Sequence, residues 1–362
     1  MRPLRRMLDA ARPAFEAGGR LAPLKPLYTA IDNFNFAPAT AALAAPHVRD
    51  PLDVKRYMTM VIVALVPCVA ASLYFFGLRV LALIVVSYAV GGTIEVLFAV
   101  VRKEEINEGF LVTGLLFPLI LPPGIPLWLA AAGVAFGVVV GKEIFGGTGR
   151  NLFNPALVGR CFLAVAYPSA TAANWLVPGT GWLGRLTEYA SAADVSAVTG
   201  ATPLSMASRG EMTPLVDLWW GRTAGACAET STAAIVAGAI VLVACGVANW
   251  RTIVASVGSF ALLAAALHQA MPDRAADPVW GLMAGGFLFG AVFMATDPVS
   301  GPVTNGAKWV YGAVIGATTV LIRQFSGYPE GATFAILLGN ICAPVLDEVF
   351  IRVRTRRLRH VA

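Results

Sequence analysis

Residues 199–204 read TGATPL, and Thr202 within that run carries a hydroxyl between small neighbours. A threonine hydroxyl can accept a phosphoryl group from an activated donor such as the pyrophosphate of a flavin dinucleotide. The product would be FMN held as a phosphoester. Gly200 and Ala201 leave room for a modifying enzyme, and Pro203 biases Thr202 toward an extended backbone. An ordinary turn is the competing reading. Three more groups of residues could do chemistry. In GKEIFGGTGRNLFNPALVGR (141–160), Asn151 and Asn154 are three apart and share one side of a helical start. Their amides both donate and accept, which suits the uracil-like edge of an isoalloxazine ring. A helix cap with a packing loop would use the same residues.

Gly91, Gly92 and Glu95 lie inside an apolar run. A carboxylate there costs roughly 2.5–3.5 kcal/mol on insertion scales, so a cation, a proton or a buried partner should offset it. The paired glycines open a notch one turn away, for a quinone headgroup or for simple helix packing. In FMATDPVSGPVTNGAK (293–308), Asp297 stands at a helix end, and Asp347 lies near the end of the last apolar run. Both could attract sodium as hard oxygen ligands, or serve as helix caps. Phe289 and Phe293 are one helical turn apart and could form a dewetting constriction, or belong to an ordinary core.

These residues need a membrane scaffold. The chain is 57% hydrophobic and 13% charged, where a soluble domain carries roughly 25% charged residues. Ten apolar segments can be drawn: 57–77, 79–101, 110–121, 126–141, 155–170, 230–249, 252–271, 279–296, 309–323 and 332–350. The third is short and ends at Pro122-Pro123, and the fifth opens with Pro155, as broken or re-entrant helices do. The expected fold is therefore an all-α integral membrane protein of about ten transmembrane helices. They would form two five-helix halves, inverted because an odd number of crossings reverses direction.

With the N-terminus in the cytoplasm, twenty of the 27 Lys and Arg residues fall inside and six outside, with Arg160 in a span. That bias explains the net charge of +6 without a nucleic-acid partner. Both termini are then cytoplasmic. The expected organisation is an arm at 1–56, a first membrane half at 57–170, an outer loop at 171–229, a second half at 230–350 and a basic tail at 351–362. The arm alternates basic and apolar residues near its start, fitting either a surface amphipathic helix or a basic tail. It shows no apolar signal-peptide core.

Several chemistries are disfavoured. The five cysteines include no CxxC pair, which argues against a zinc or iron–sulfur centre held by this chain, and no metal ligand set is expected. The glycine-rich run lacks a GK[ST] ending and follows no strand, so it is neither a phosphate-binding loop nor a dinucleotide fingerprint.

Six stretches together resemble the B subunits of sodium-translocating NADH:quinone oxidoreductases: HVRDPLDVKRYM (47–58), INEGFLVTGLLFPLILPPGIPLW (106–128), GKEIFGGTGRNLFNPALVGR, TGATPLS, FMATDPVSGPVTNGAKWVYG and YPEGATFAILLGNICAPVLDEVF (328–350). The related D subunits of Rnf-type ferredoxin:NAD reductases share the flavin motif and ATDPVS. The arm with HVRD resembles the quinone-reductase branch.

The resemblance implies covalent FMN on Thr202, attached by a flavin transferase, and riboflavin at Asn151 and Asn154. It links Gly91, Gly92 and Glu95 to ubiquinone, Asp297 and Asp347 to sodium uptake, and Phe289 and Phe293 to the narrowing of the ion path. It implies a bacterial inner-membrane complex of six subunits, A to F. One departure stands out: the family motif has aspartate six residues before the threonine, whereas this chain has Ser196 there and Asp194 two residues earlier. The alternatives are the Rnf-type subunit and a ten-helix solute channel without redox chemistry.

Overall fold

The computed structural model describes residues 54–104, 109–179, 181–189, 201–272, 275–326, 328 and 330–359, with a few isolated positions before 54. The HVRD stretch, most of the arm, Asp194, Ser196, Thr199 and Gly200 lie outside the described residues. Among the described residues every regular element is helical.

Five long apolar runs become helices able to cross a bilayer by length and composition: Tyr57–Phe76, Leu78–Arg102, Leu127–Phe145, Trp250–Ala270 and Ala332–Arg356. They belong to α1 (Val54–Phe76), α2 (Leu78–Arg102), α4 (Leu127–Gly141, continued by a 3-10 turn Glu143–Phe145), α10 (Trp250–Ala270) and α14 (Ala332–Arg359). Shorter apolar helices lie between them: α3 (Gly109–Leu119), α5 (Pro155–Ala166) and α9 (Thr232–Ala244). Helix α13 (Asn305–Phe325) completes the long set. Small polar residues define several starts. Asn154, Ser231 and Asn249 each accept a backbone N–H from the first turn of α5, α9 and α10.

The same neighbours recur in both parts of the chain. In the first, α2 packs on α3 and α4, and α4 on α5. In the second, α10 packs on α11 (Pro278–Met283) and α13, and α13 on α14. The α10–α13 contact is the most extensive, because Gly312 and Gly316 let α13 lie directly on the backbone of α10 at Thr252 and Ser256. Contacts of α1 with α9, and of α5 with α14, join the two parts.

Two helices end inside the protein, and each end is met by a buried arginine. After α3, the Arg79 guanidinium donates to the carbonyls of Pro123 (3.0 Å), Gly124 (3.2 Å) and Ile125 (3.0 Å). The carbonyls of Leu119 and Leu121 accept from Ala228 N (2.9 Å) and Cys227 N (3.0 Å). The chain from Ala226 to Thr232 is buried throughout. The end of the expected outer loop is thus packed in the core, where it supplies donors that the broken helix lacks. Among the described residues, three short helices lie before that end: α6 (Pro168–Ala173), which leads into the loop, α7 (Pro203–Ala207) and α8 (Leu215–Trp220).

The expected helix 279–296 is not continuous. Helix α11 stops at Met283, Gly285 turns with φ 69°, and the chain resumes as α12 (Phe287–Phe289), running into a π-helical turn Gly290–Met294. Arg323 of α13 donates to Gly281 O (2.7 Å) and Ala284 O (3.0 Å), satisfying the last carbonyls of α11. Periodicity could not show this, because Ala284-Gly285-Gly286 is as apolar as the helices around it.

Candidate functional site

Helix α5 carries the two ends of the site. Asn154 at its start and Arg160 on it are about 9 Å apart along the axis, at the usual rise of about 1.5 Å per residue. Asn154 borders one cavity, labelled inner for reference, and Arg160 another, labelled outer.

The outer cavity, about 540 Å³, is bordered by Thr202, Ser205, Arg209, Arg160, Glu330 and the aromatic rings of Trp175, Tyr328 and Phe334. Thr202 caps α7, with its side-chain oxygen accepting from Ser205 N at 3.3 Å. Thr202 is half-buried and borders the cavity beside an exposed Ala201. Arg160 sits at the inner wall, bonded through Nη1 to Glu229 Oε1 (2.5 Å) and through Nη2 to Glu330. Glu229 is buried and packs against Gly286 at the break before α12.

The inner cavity is narrow, about 70 Å³, and brings together Asn151, Asn154, Lys142, Thr148, Phe293 and Asp297. Asn154 Oδ1 accepts from Ala156 N (3.0 Å), and Asn151 Nδ2 donates to Phe153 O (2.8 Å). Both amides therefore spend one group on capping their own segment and keep the other. A second cavity of about 390 Å³ shares the wall formed by Tyr57, Val247 and Thr296–Pro298, where the Tyr57 hydroxyl donates to Val247 O at 2.6 Å.

The partner expected for Glu95 is Lys142, whose Nζ bonds Glu95 Oε1 at 2.5 Å while Thr148 lies at 3.4 Å. Both members of the pair are almost fully buried, and Glu95 Oε2 has no hydrogen-bond partner among the described residues. Lys142 also borders the inner cavity, so Glu95 reaches that cavity through it. The glycine notch is filled: a side chain at Gly91 would collide with the Phe110 ring, and Gly92 lies against the same ring. Removing one partner of a buried ion pair costs about 3–5 kcal/mol. The Lys142→Met chain is accordingly expected to unfold at a lower temperature in detergent than the parent. The Glu95→Gln/Lys142→Met double variant should recover part of that loss; equal melting of all three chains would contradict the pairing.

The aspartates separate. Asp347 Oδ2 accepts from Val303 N (2.7 Å), and Oδ1 accepts from Thr304 N (2.8 Å) and Thr304 Oγ1 (2.7 Å), so this carboxylate ties α14 to the start of α13. Asp297 accepts from Val299 N (3.3 Å), Ser300 N (3.4 Å) and Ser300 Oγ (2.7 Å), closing a turn while bordering both inner cavities. Phe289 at the end of α12 and Phe293 on the π-helical turn are both buried, ring centroids 4.9 Å apart at 39°. The Phe293 ring rests on Gly238 of α9 and borders the inner cavity.

Lys142, Glu229, Arg323 and Glu330 were not singled out from sequence, although Arg79, Arg160 and Arg323 each interrupt or flank an apolar run. An arginine in such a place needs an acid or a ring of carbonyls. That signal was available for Arg160, whose carboxylates are distant in sequence.

Two comparisons show what the chain is similar to. The model of the NQR2, RnfD, RnfE family matches residues 42–356. The B subunit of the Na(+)-translocating NADH-quinone reductase of Azotobacter vinelandii is 38% identical over 98% of each chain. Its counterpart in Pseudomonas aeruginosa is 36% identical over 98% of each chain. That of Chromohalobacter salexigens is 38% identical over 98% of this chain and 95% of the relative. With residues 42–356 matched by that model and nearly the whole length aligned with these relatives, the chain belongs to the NQR2, RnfD, RnfE family.

Proposed function

We propose that this chain is the membrane subunit of a sodium-pumping NADH:quinone oxidoreductase. In this reading it carries FMN on Thr202, receives electrons from a partner subunit on the outer side and delivers them inward to ubiquinone as sodium is exported. The observation that carries the reading is the outer cavity. Its volume of about 540 Å³ lies within the roughly 300–1,000 Å³ of small-molecule sites, and Thr202 borders it. Aromatic walls and two arginines suit a flat ring with a phosphate at one end. A flavin there would supply the redox chemistry, while the protein binds, orients and tunes it.

Attachment by a transferase would join Thr202 Oγ to the FMN phosphorus of a flavin dinucleotide. The pyrophosphate bond breaks, AMP leaves and the hydroxyl proton is lost. Riboflavin is the proposed ligand of Asn151 and Asn154, whose amides and the neighbouring Lys142 ammonium form a fitting donor set. The space does not yet fit: about 70 Å³ is far below what a tricyclic ring occupies. Seating it would require the wall shared with the 390 Å³ cavity to part. The Gly91–Gly92 notch likewise admits a quinone headgroup only if Phe110 leaves it.

The two parts are proposed as inverted five-helix halves, with ten crossings in all. The repeated neighbour pattern and a broken third member in each support this. Both termini are placed in the cytoplasm of a bacterial inner membrane, with the remaining subunits A, C, D, E and F and a flavin transferase as partners. The arm at 1–56 and the tail at 351–362 lie on that side, and the loop from 171 opens outward.

The test is an intact mass of the chain isolated from its native host. One added flavin mononucleotide is expected, together with ultraviolet fluorescence on a denaturing gel. An unmodified mass with the transferase present would leave a solute channel as the better reading.

A further inference from the structure

The flavin reading places a ring in the outer cavity but does not say what holds its electron-accepting end. The cavity has two cations on its border, Arg160 and Arg209. Arg209 is exposed at the rim, close in sequence to Thr202, and suits the phosphate. Arg160 lies deeper, with its side chain 12% exposed. Its guanidinium has five N–H donors in a rigid fork. One points to Glu229 and one to Glu330, which fixes the fork and leaves the others for the cavity.

We propose that Arg160 is the cation against which the ring carried by Thr202 is seated. Glu229 and Glu330 hold that cation in place and moderate its pull on the charge the ring gains when reduced. This rests on the reading that Thr202 bears the flavin. Arg160 is a positioning and tuning residue: it neither attacks nor transfers anything. Electron uptake adds negative charge to the ring, and a fixed cation beside it lowers the energy of that state. The two carboxylates oppose this. A second consequence follows from Glu229. Because Glu229 rests against Gly286 at the break before α12, Arg160 links the ring to the segment that carries Phe289, Phe293 and Asp297.

The purified complex carrying Arg160→Gln or Glu330→Gln tests this. The readout is spectroelectrochemical titration of the absorbance band that Thr202→Ala removes. Arg160→Gln should move the midpoint of that band to a more negative potential, since a cation is lost. Glu330→Gln should move it to a more positive one, since an anion is lost. The chain mass should show the flavin attached in both, and Arg160→Lys should fall between Arg160→Gln and the parent.

Shifts of the same sign in both variants, or none, would overturn the proposal, because general loosening has no reason to reverse sign. If Arg160→Gln fails to assemble, Glu330→Gln alone decides: a positive shift supports the proposal, while an unchanged or negative one refutes it. Absence of flavin mass from the unsubstituted chain would sink the Thr202 reading itself, a separate failure.

Discussion

Replacing Thr202 by Ala is expected to remove the flavin mass increment from the chain and to abolish quinone reduction by the complex. In the proposed attachment the Thr202 hydroxyl becomes the ester oxygen, so nothing in the alanine chain can take its place. Loss of activity alone would be ambiguous, because Thr202 also caps α7. The cap is weak, a single 3.3 Å bond from Ser205 N onto a five-residue helix. Losing an N-cap costs about 0.5–2 kcal/mol, too little to unfold a buried helical body. Thr202→Ser retains both hydroxyl and cap, and it should retain flavin attachment and most activity. Covalent flavin fluorescence persisting in the alanine chain would refute the assignment of this residue.

A second large effect is expected at Phe293. Its ring borders the inner cavity, lies tilted against Phe289 and rests on Gly238 of α9. Phe293→Ala should cost about 3–5 kcal/mol of stability, the usual range for emptying an aromatic site in a packed core. It should also enlarge the cavity beside Asp297 and, if the two rings form the expected constriction of the ion path, let water pass it. Proteoliposomes containing the Phe293→Ala complex are expected to leak sodium without NADH, and those containing Phe293→Leu to remain tight. A folded alanine variant as impermeable to sodium as the parent would mean that this ring is only core.

The apolar skeleton was legible because each long run of apolar residues has one low-cost solution in lipid, a helix. One cap was legible too, since Asn154-Pro155 announces a start in residue type alone. The break at Ala284–Gly286 was hidden: a helix can stop wherever a distant arginine satisfies its carbonyls, and Arg323 lies in another element. Glu95 announced that it needed a partner, but no pattern pointed to Lys142, 47 positions later. Asp347 was offered as a sodium ligand or a cap, and the geometry puts both of its oxygens on the start of α13. Identity of a residue was readable where its role is local. Where the role depends on what another part of the chain brings to it, only the folded structure reveals it.

The end of α3 has a consequence for how the protein is made. The carbonyls of Leu119 and Leu121 find their donors in Ala228 and Cys227, about 100 residues downstream. At bacterial-type synthesis speeds of about 5–20 residues per second, that gap lasts on the order of 5–20 s. During this interval a half-built bilayer segment presents unsatisfied oxygens to whatever insertion machinery surrounds it. The two halves are therefore not independent units of biogenesis. A ribosome stalled before residue 226 should leave an intermediate that a membrane protease recognises, and supplying the missing half as a separate polypeptide should rescue it only if that half begins upstream of Ala226.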